Sequence, residues 1–499
     1  MAVALAAPHR AAVTAGERAV AAGGNALDAA LAAAAMLTVA YPHQCAIGGD
    51  LIALVRDPSG ATTAVIAAGT APAAIDTASG DWAAVPRQGA HSVTVPGMVA
   101  GWEAIAALGG ALGLAPAFRG AADAARDGVT VSAGLARAIA SRAEGILADP
   151  GLTAVFAPTG DLLAEGDTYL QPALADTFGR LADDPTDFYC GATADLLVAA
   201  LRGAGGVHTR DDFAGYAPEI TPALSTDLGG RTWSVAPPPS AGALVPGVVA
   251  GGLDAEGIAD AAALVAASVR GVAARGAHLG DPRMGPIDVD ALLDIAPGAG
   301  STIGEPRASG DTASVVAIDD DGWAITIVQS VYFTFGAGFL DPATGVLFHN
   351  RGSAFSTDPA SPALLRAGAR PPHTLCPLIV EDAANLVIAG CQGGRAQPWI
   401  LAQLFAAGSS LREPLDAILA RPRWIVGDVD LGFDRLTLAA EPGVAPEALA
   451  GAKAAGVPVA DLPSRADVAG HVQLVRRRDG HLLDAASDPR ADGVGVVTL

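Results

Sequence analysis

The stretch SGDTASVVAIDDDGWAITIVQS, Ser309 to Ser330, joins two kinds of chain. Before it lies APGAGSTIGEPRASGD, Ala296 to Asp311, rich in Gly, Pro and Ser, which reads as a linker. Immediately after Asp311-Thr312 the composition turns to β-formers. Ala313 to Ile318 and Trp323 to Val328 read as strands, with Asp319-Asp320-Asp321-Gly322 as the turn of a hairpin between them. A threonine at a strand start is ordinary, but one at the end of a flexible loop has further chemistry open to it. If the bond before Thr312 is cut, its α-amine stands beside its own hydroxyl. An α-amine titrates near about 7.7–8.0, so at neutral pH a useful fraction acts as general base without any histidine or lysine.

Outward from this junction, helical patterns occupy Ala11 to Ala22, Asn25 to Ala40, Val99 to Leu108, Ala121 to Arg126 and Ala133 to Ala148. Asn25 reads as the N-cap, and Asp28 as the first-turn acid, of a buried alanine-rich helix. CAIGGDLIALVRDPSGATTAVIAAG reads as a hairpin around Asp57-Pro58-Ser59-Gly60. Thr209 to Gly252 reads as turns and short strands with a rigid Pro-Pro-Pro-Ser connector, and a helix follows from Ala259 to Arg275. Past the central hairpin, Gly345 to His349 and Leu386 to Ala389 read as strands, and Trp399 to Ala407 and Leu415 to Ala420 as helices. Helix-rich flanks around a β-rich centre predict an α+β layered fold rather than a βαβ sheet.

Composition narrows the chemistry. The 499 residues are 51% hydrophobic, enough for a substantial core, and the net charge of −22 repels nucleic acid and anionic membrane surfaces. The only lysine is Lys453, which removes Schiff bases, P-loops and Ser-Lys pairs. Cys45, Cys190, Cys376 and Cys391 are widely spaced and read as reduced thiols, and the histidines lack metal-ligand spacing. Neither a metal nor a cofactor is expected. The apolar run Ala29 to Ala40 is short of the ~20 residues that a bilayer span needs and has no basic region before it, so a cytoplasmic protein is expected.

Several segments, in order along the chain, carry a wider likeness: GGNALDAALAAAAMLTVAYPHQCAIGGD, SVTVPGMVAGWEA, AARDGVTVS, APPPSAGALV, HLGDPRMG, GDTASVVAIDDDG, QSVYFTFGAGF, HNRGSAFS and SDPRADGVGVV. Together they resemble the γ-glutamyltranspeptidase family of N-terminal-nucleophile hydrolases, and VQSVY and NRG resemble its divergent branch that includes oxamate amidohydrolase. The resemblance implies a single-domain four-layer αββα sandwich, made as a proenzyme. It would be cut between Asp311 and Thr312 into a large chain, 1–311, and a small chain, 312–499, that stay associated.

Thr312 is then the nucleophile, Ser330 the supporting hydroxyl, and Gly393 and Gly394 the oxyanion donors, with a plain turn as the other reading of the glycine pair. Asp319 matches the acid after the first small-chain strand. His373 and Thr374 stand where typical members carry pocket serines, a packed histidine being the other reading. Two charge partners of a glutamyl head are missing. Ala354 replaces the acid before Phe-Ser, VIAAGTAP offers no arginine, and Tyr332 replaces an asparagine. Charge-assisted bonds are worth about 1.5–3 kcal/mol each, so recognition of that head is weakened. Arg351, with Arg395 in support, suits a carboxylate instead, a structural ion pair being the other reading of Arg351. The expected substrate is a small acidic amide or an acyl amide lacking the glutamyl head. A true γ-glutamyl hydrolase or transferase and a non-processing homologue are the alternatives.

Overall fold

The computed structural model describes residues 1–78, 82–254, 258–296, 310–406, 411–428 and 431–498. The linker segment 297–309 lies outside them. The central hairpin forms as its composition predicts, with longer arms, Gly310–Asp319 and Ala324–Phe333. Its turn is tied by one side chain. Asp319 Oδ1 accepts from the N–H groups of Gly322 and Trp323 at 2.8 and 2.9 Å, and Gly322 supplies the positive φ of 109° that the turn requires. Asp319 Oδ2 accepts from Ala26 N at 3.0 Å, which ties the hairpin to the first turn of the helix Ala26–Ala40. Burial pushes the Asp319 carboxyl up, against these N–H donors.

The hairpin lies in the middle of an antiparallel seven-stranded sheet. Its order is Val494–Thr498, Val3–Ala7, Gly310–Asp319, Ala324–Phe333, Asp50–Arg56, Thr62–Ala67 and Glu219–Pro222. The second sheet is six-stranded and also antiparallel: Leu482–Ser487, Val472–Arg478, Asn385–Cys391, Leu378–Glu381, Arg231–Val235 and Leu224–Leu228.

Period-two alternation divides each strand between two cores. Val316, Ile318, Ile52 and Leu54 face Ile379, Ile388 and Val475 between the sheets. Val315, Ile325, Leu51 and Ala53 face outward onto the helices Ala26–Ala40, Met98–Gly109 and Ala115–Asp127. On the far side, Leu378, Val380, Val387 and Leu474 meet the helices Leu244–Gly251, Ala261–His278 and Gln397–Ala406. The result is the four-layer αββα sandwich. The helix Ala26–Ala40 is buried along its whole length, and Asn25 and Asp28 close a reciprocal capping box at its start.

Several elements differ from the sequence reading. Gly345 to His349 is not a strand. Asp341 accepts from Thr344 N and Gly345 N bonds to Asp341 O, so the segment coils and makes only isolated bridges, such as Gly48 with Phe348. The segment after Pro-Pro-Pro-Ser contains the helix Leu244–Gly251, packed in the second helical layer. Ala133 to Ala148 is two helices, Ala133–Ser141 and Ala143–Ala148. The first residues form a buried strand, Val3–Ala7, between the hairpin and the last strand. Among the described residues no helix is long and apolar enough to cross a membrane.

Removing the Asp319 carboxylate strands backbone donors at a buried site, at about 1–3 kcal/mol. Asp319→Ala is expected to lower the urea unfolding midpoint accordingly, and an unchanged midpoint would overturn this structural assignment.

Candidate active site

Thr312 lies on the inner face of the first sheet, 2% exposed. Strand pairing puts Ser330 directly opposite Thr312 on one neighbour and Asp50 opposite Ser330 on the next, so three polar residues form one row across three strands. The Thr312 hydroxyl donates to Ser330 Oγ at 3.2 Å, and Ser330 Oγ also accepts from Tyr332 N at 2.8 Å. Gly49 lets the neighbouring chain approach, since a Cβ there would stand 2.5 Å from Ser330 O. Asp319, at the opposite end of the same strand, is about 23 Å along the chain from Thr312 and has no part in this site.

The second sheet closes over the row. Thr326 Oγ1 donates to Ala389 O at 2.9 Å, and Gly390 has no room for a Cβ, which would meet that of Ser314 at 2.6 Å. Past Cys391 the chain turns through Gly393, φ 152°, and Gly394, φ 52°, into a short 3-10 turn, Gly394–Ala396, that lies against the Thr312 strand. Among the described residues no acceptor takes the N–H of Gly393 or Gly394. Two N–H donors in one turn suit an oxyanion where a reacting carbonyl reaches them. Arg395, in the same turn, stands 3.9 Å from Asp428.

The segment Arg351–Ala354 adds a buried cluster around Arg351. Arg351 is 1% exposed; its guanidinium lies 3.6 Å from the centre of the Tyr332 ring. Nη2 donates to Thr374 Oγ1 at 3.1 Å, and Nη1 reaches Pro372 O at 3.5 Å. Tyr332 stacks on Phe333 at 4.2 Å, and Ala354 packs with both rings, so the place of the missing acid is apolar.

His373, beside Thr374, is fully buried, with Nε2 3.2 Å from Asp50 Oδ2. This is ion-pair distance without good hydrogen-bond alignment. His349 Nδ1 stands 3.6 Å from the same oxygen and accepts from Arg351 N at 3.4 Å. Asp50 Oδ1 accepts from Gly69 N and Gly97 N. Burial pushes the Asp50 carboxyl up, but His349, His373 and the Gly69 N–H outweigh it and hold it below the usual carboxylate value. Burial, then the Arg351 charge, pushes His373 down to about 4 against the pull of Asp50, so its ring is neutral at neutral pH.

The structure thus gathers Thr312, Ser330, Tyr332, Arg351, His373 and Thr374, with the turn Gly394–Ala396 against the Thr312 strand. Asp50 and His349 join them without having been singled out from the sequence. Their only signals were an acid closing CAIGGD and a histidine opening HNRG. Among the described residues no group of three or more His, Cys, Asp or Glu is placed to hold a metal.

Residues 12–498 match the profile of the family described as gamma-glutamyltranspeptidase. The chain is 34% identical to the oxamate amidohydrolase proenzyme of Klebsiella pneumoniae, covering 95% of this chain and 94% of that protein. It is 32% identical to a glutathione hydrolase-like proenzyme of Bacillus subtilis, covering 98% and 97%. The crystal structure of cephalosporin acylase from Bacillus halodurans superposes with a TM-score of 0.85 at 26% identity, covering 99% of this chain and 95% of that one.

The state of His373 has a consequence for acid stability. Between about pH 6.5 and its folded value of about 4, the unfolded chain binds a proton that the folded chain refuses, so stability falls as pH falls through that window. His373→Asn is expected to show a shallower loss of urea midpoint between pH 6.5 and 4.5 than the parent chain; equal slopes would contradict a neutral His373.

Proposed function

Because the chain belongs to the γ-glutamyltranspeptidase family, we propose that it is an autoprocessing amidohydrolase whose nucleophile is Thr312 and whose substrate is a small amide carrying a carboxylate. The observation that carries the reading is the buried hydroxyl pair, Thr312 Oγ1 to Ser330 Oγ at 3.2 Å, on the strand against which the turn Gly394–Ala396 lies.

In the precursor, Thr312 Oγ1 bonds to the carbonyl carbon of Asp311, the Asp311–Thr312 C–N bond breaks, and the released nitrogen takes the hydroxyl proton. Water then hydrolyses the resulting ester, leaving a carboxylate on Asp311 and restoring the Thr312 hydroxyl beside a free α-amine. In the mature site that amine takes the hydroxyl proton as Thr312 attacks a substrate amide, and Gly393 and Gly394 donate to the oxyanion. The leaving amine carries off the proton, and water releases the acyl group from Thr312. Transfer of the acyl group to an amine acceptor is a side route.

Arg351, with Thr374 beside it, reads the substrate carboxylate through its planar fork, and His373 lines the same pocket. Arg395 acts at a distance, from its place near Asp428. The apolar surround of Ala354 disfavours a free α-amino group, which supports an oxamate-like acidic amide over a glutamyl one. Both names are borne by relatives, one an oxamate amidohydrolase and the other glutathione hydrolase-like. Four thiols without disulfides support a cytoplasmic setting.

Denaturing gels and intact masses test the nucleophile. The wild-type chain is expected to give two fragments, the second beginning at Thr312, and Thr312→Ala a single chain; a cut elsewhere would refute the assignment. On a panel of small amides, Arg351→Ala is expected to raise KM about 10- to 100-fold for carboxylate-bearing substrates, from the loss of about 1.5–3 kcal/mol. An unchanged KM would remove Arg351 from the pocket.

A further inference from the structure

We propose that Tyr332 is a positioning residue that ties the cutting step to substrate reading: its left-handed backbone aims an N–H at Ser330, and its ring carries Arg351. The inference rests on the function proposed above and deepens it.

Tyr332 has φ 78°, a backbone region that bulky L-residues rarely occupy and that clusters at functional sites. The cause lies in the hairpin ladder. Ser330 pairs with Thr312, but Tyr332 pairs with Asp311, so Val331 is an extra residue bulged directly opposite the Asp311–Thr312 bond. The bulge is held from outside the ladder on both sides: Val331 N donates to Gln44 O at 3.1 Å, and Val331 O accepts from Asn350 N at 3.1 Å. Asn350 Oδ1 further accepts from Phe333 N at 3.1 Å. Two loops, one before and one after the hairpin in sequence, therefore fix the turn of the chain at Tyr332.

That turn serves the nucleophile. Ser330 Oγ accepts both the Thr312 hydroxyl, at 3.2 Å, and the Tyr332 N–H, at 2.8 Å. Two donors fill the acceptor sites of a hydroxyl oxygen, so Ser330 is held in one orientation and the Thr312 proton is directed to it. The lone pairs of Thr312 Oγ1 are then left for the carbonyl carbon it attacks. On the other side of the same residue, the ring lies 3.6 Å under the Arg351 guanidinium and stacks on Phe333. Backbone and ring of Tyr332 thus do separate work, which substitutions can divide.

Tyr332→Gly keeps the N–H and favours positive φ but loses the ring. It is expected to cut itself within about threefold of the wild-type rate, while KM for a carboxylate-bearing amide rises at least tenfold and kcat is retained. Tyr332→Val loses the ring and resists positive φ, and is expected to cut at least tenfold more slowly. Tyr332→Phe, which keeps ring and backbone, rescues both properties. Each variant is first matched to the wild type by circular dichroism and gel filtration. Should Tyr332→Val fail to fold, Tyr332→Ala takes its place, with cutting slower than in Tyr332→Gly. Equal cutting rates for the glycine and the β-branched or alanine variant, or a KM unmoved in Tyr332→Gly, would overturn the inference. A wild-type chain that stays whole sinks the processing reading and this inference with it. A wild type cut before Thr312 with a folded Tyr332→Gly left whole sinks only the inference.

Discussion

The pairing register of the central hairpin is the constraint from which the site follows. With Ser330 opposite Thr312 and Asp50 opposite Ser330, three polar side chains share the inner face of the first sheet. A slip of one residue would turn all of them toward the helices and bring Val315 and Ile327 into the sandwich. Asp319 holds the turn end of that register with its three backbone donors, and the Val331 bulge interrupts it at the other end. Between these two points the strands are regular and buried. The chemistry is confined to the end where the ladder is broken.

Burying charge so close to the centre of the molecule requires closed partnerships. Near Thr312 the buried charges of Asp50 and Arg351 each have partners. Asp50 faces His373 and His349, and Arg351 spreads its charge over Tyr332, Thr374 and a backbone carbonyl. A second buried network, built on the SDPRADGVGVV segment, has a different character. Asp488 pairs with Arg423 at 2.5 Å and with Arg490 at 3.1 Å, Arg490 pairs with Glu441, and Glu441 accepts from Arg423 N and Ala466 N. Asp488 also takes Val472 N, at the start of a strand of the second sheet. Its carboxylates and most of its guanidinium nitrogens are spent within the chain, so this network is structural, and it anchors the strand that runs beside Asn385–Cys391.

Much of this was legible before the fold was known. The hairpin with its Asp-Gly turn, the Asn25 cap and the Asp57-Pro58-Ser59-Gly60 hairpin all depend on neighbours within a few residues, and all formed where local chemistry put them. Local reading failed where a segment's conformation is set by distant partners. Val3–Ala7 is a strand because the hairpin and the last strand pair with it on both sides, and the short alanine-rich segment alone carries no such signal. Gly345 to His349 has strand-like composition, but the Asp341 carboxylate takes the amides of Ala343 and Thr344 and its carbonyl that of Gly345, which coils the chain at the start of the segment.

The sequence by itself determined the neighbourhood of Thr312: a linker ending there, a hydroxyl at Ser330 spaced to return opposite it, and a loop that carries Arg351 and has Ala354 where an acid is customary. These are matters of composition and strand period. Only the tertiary structure decided that Asp50 and His349 join these residues, that Asp319 does not, and that Tyr332 meets Ser330 through its backbone N–H and Arg351 through its ring. The physical reason is that each of these roles depends on which distant segments are brought within about 4 Å of one another. A buried acid, a bulge and a left-handed tyrosine are set by packing between layers rather than by any pattern along the chain.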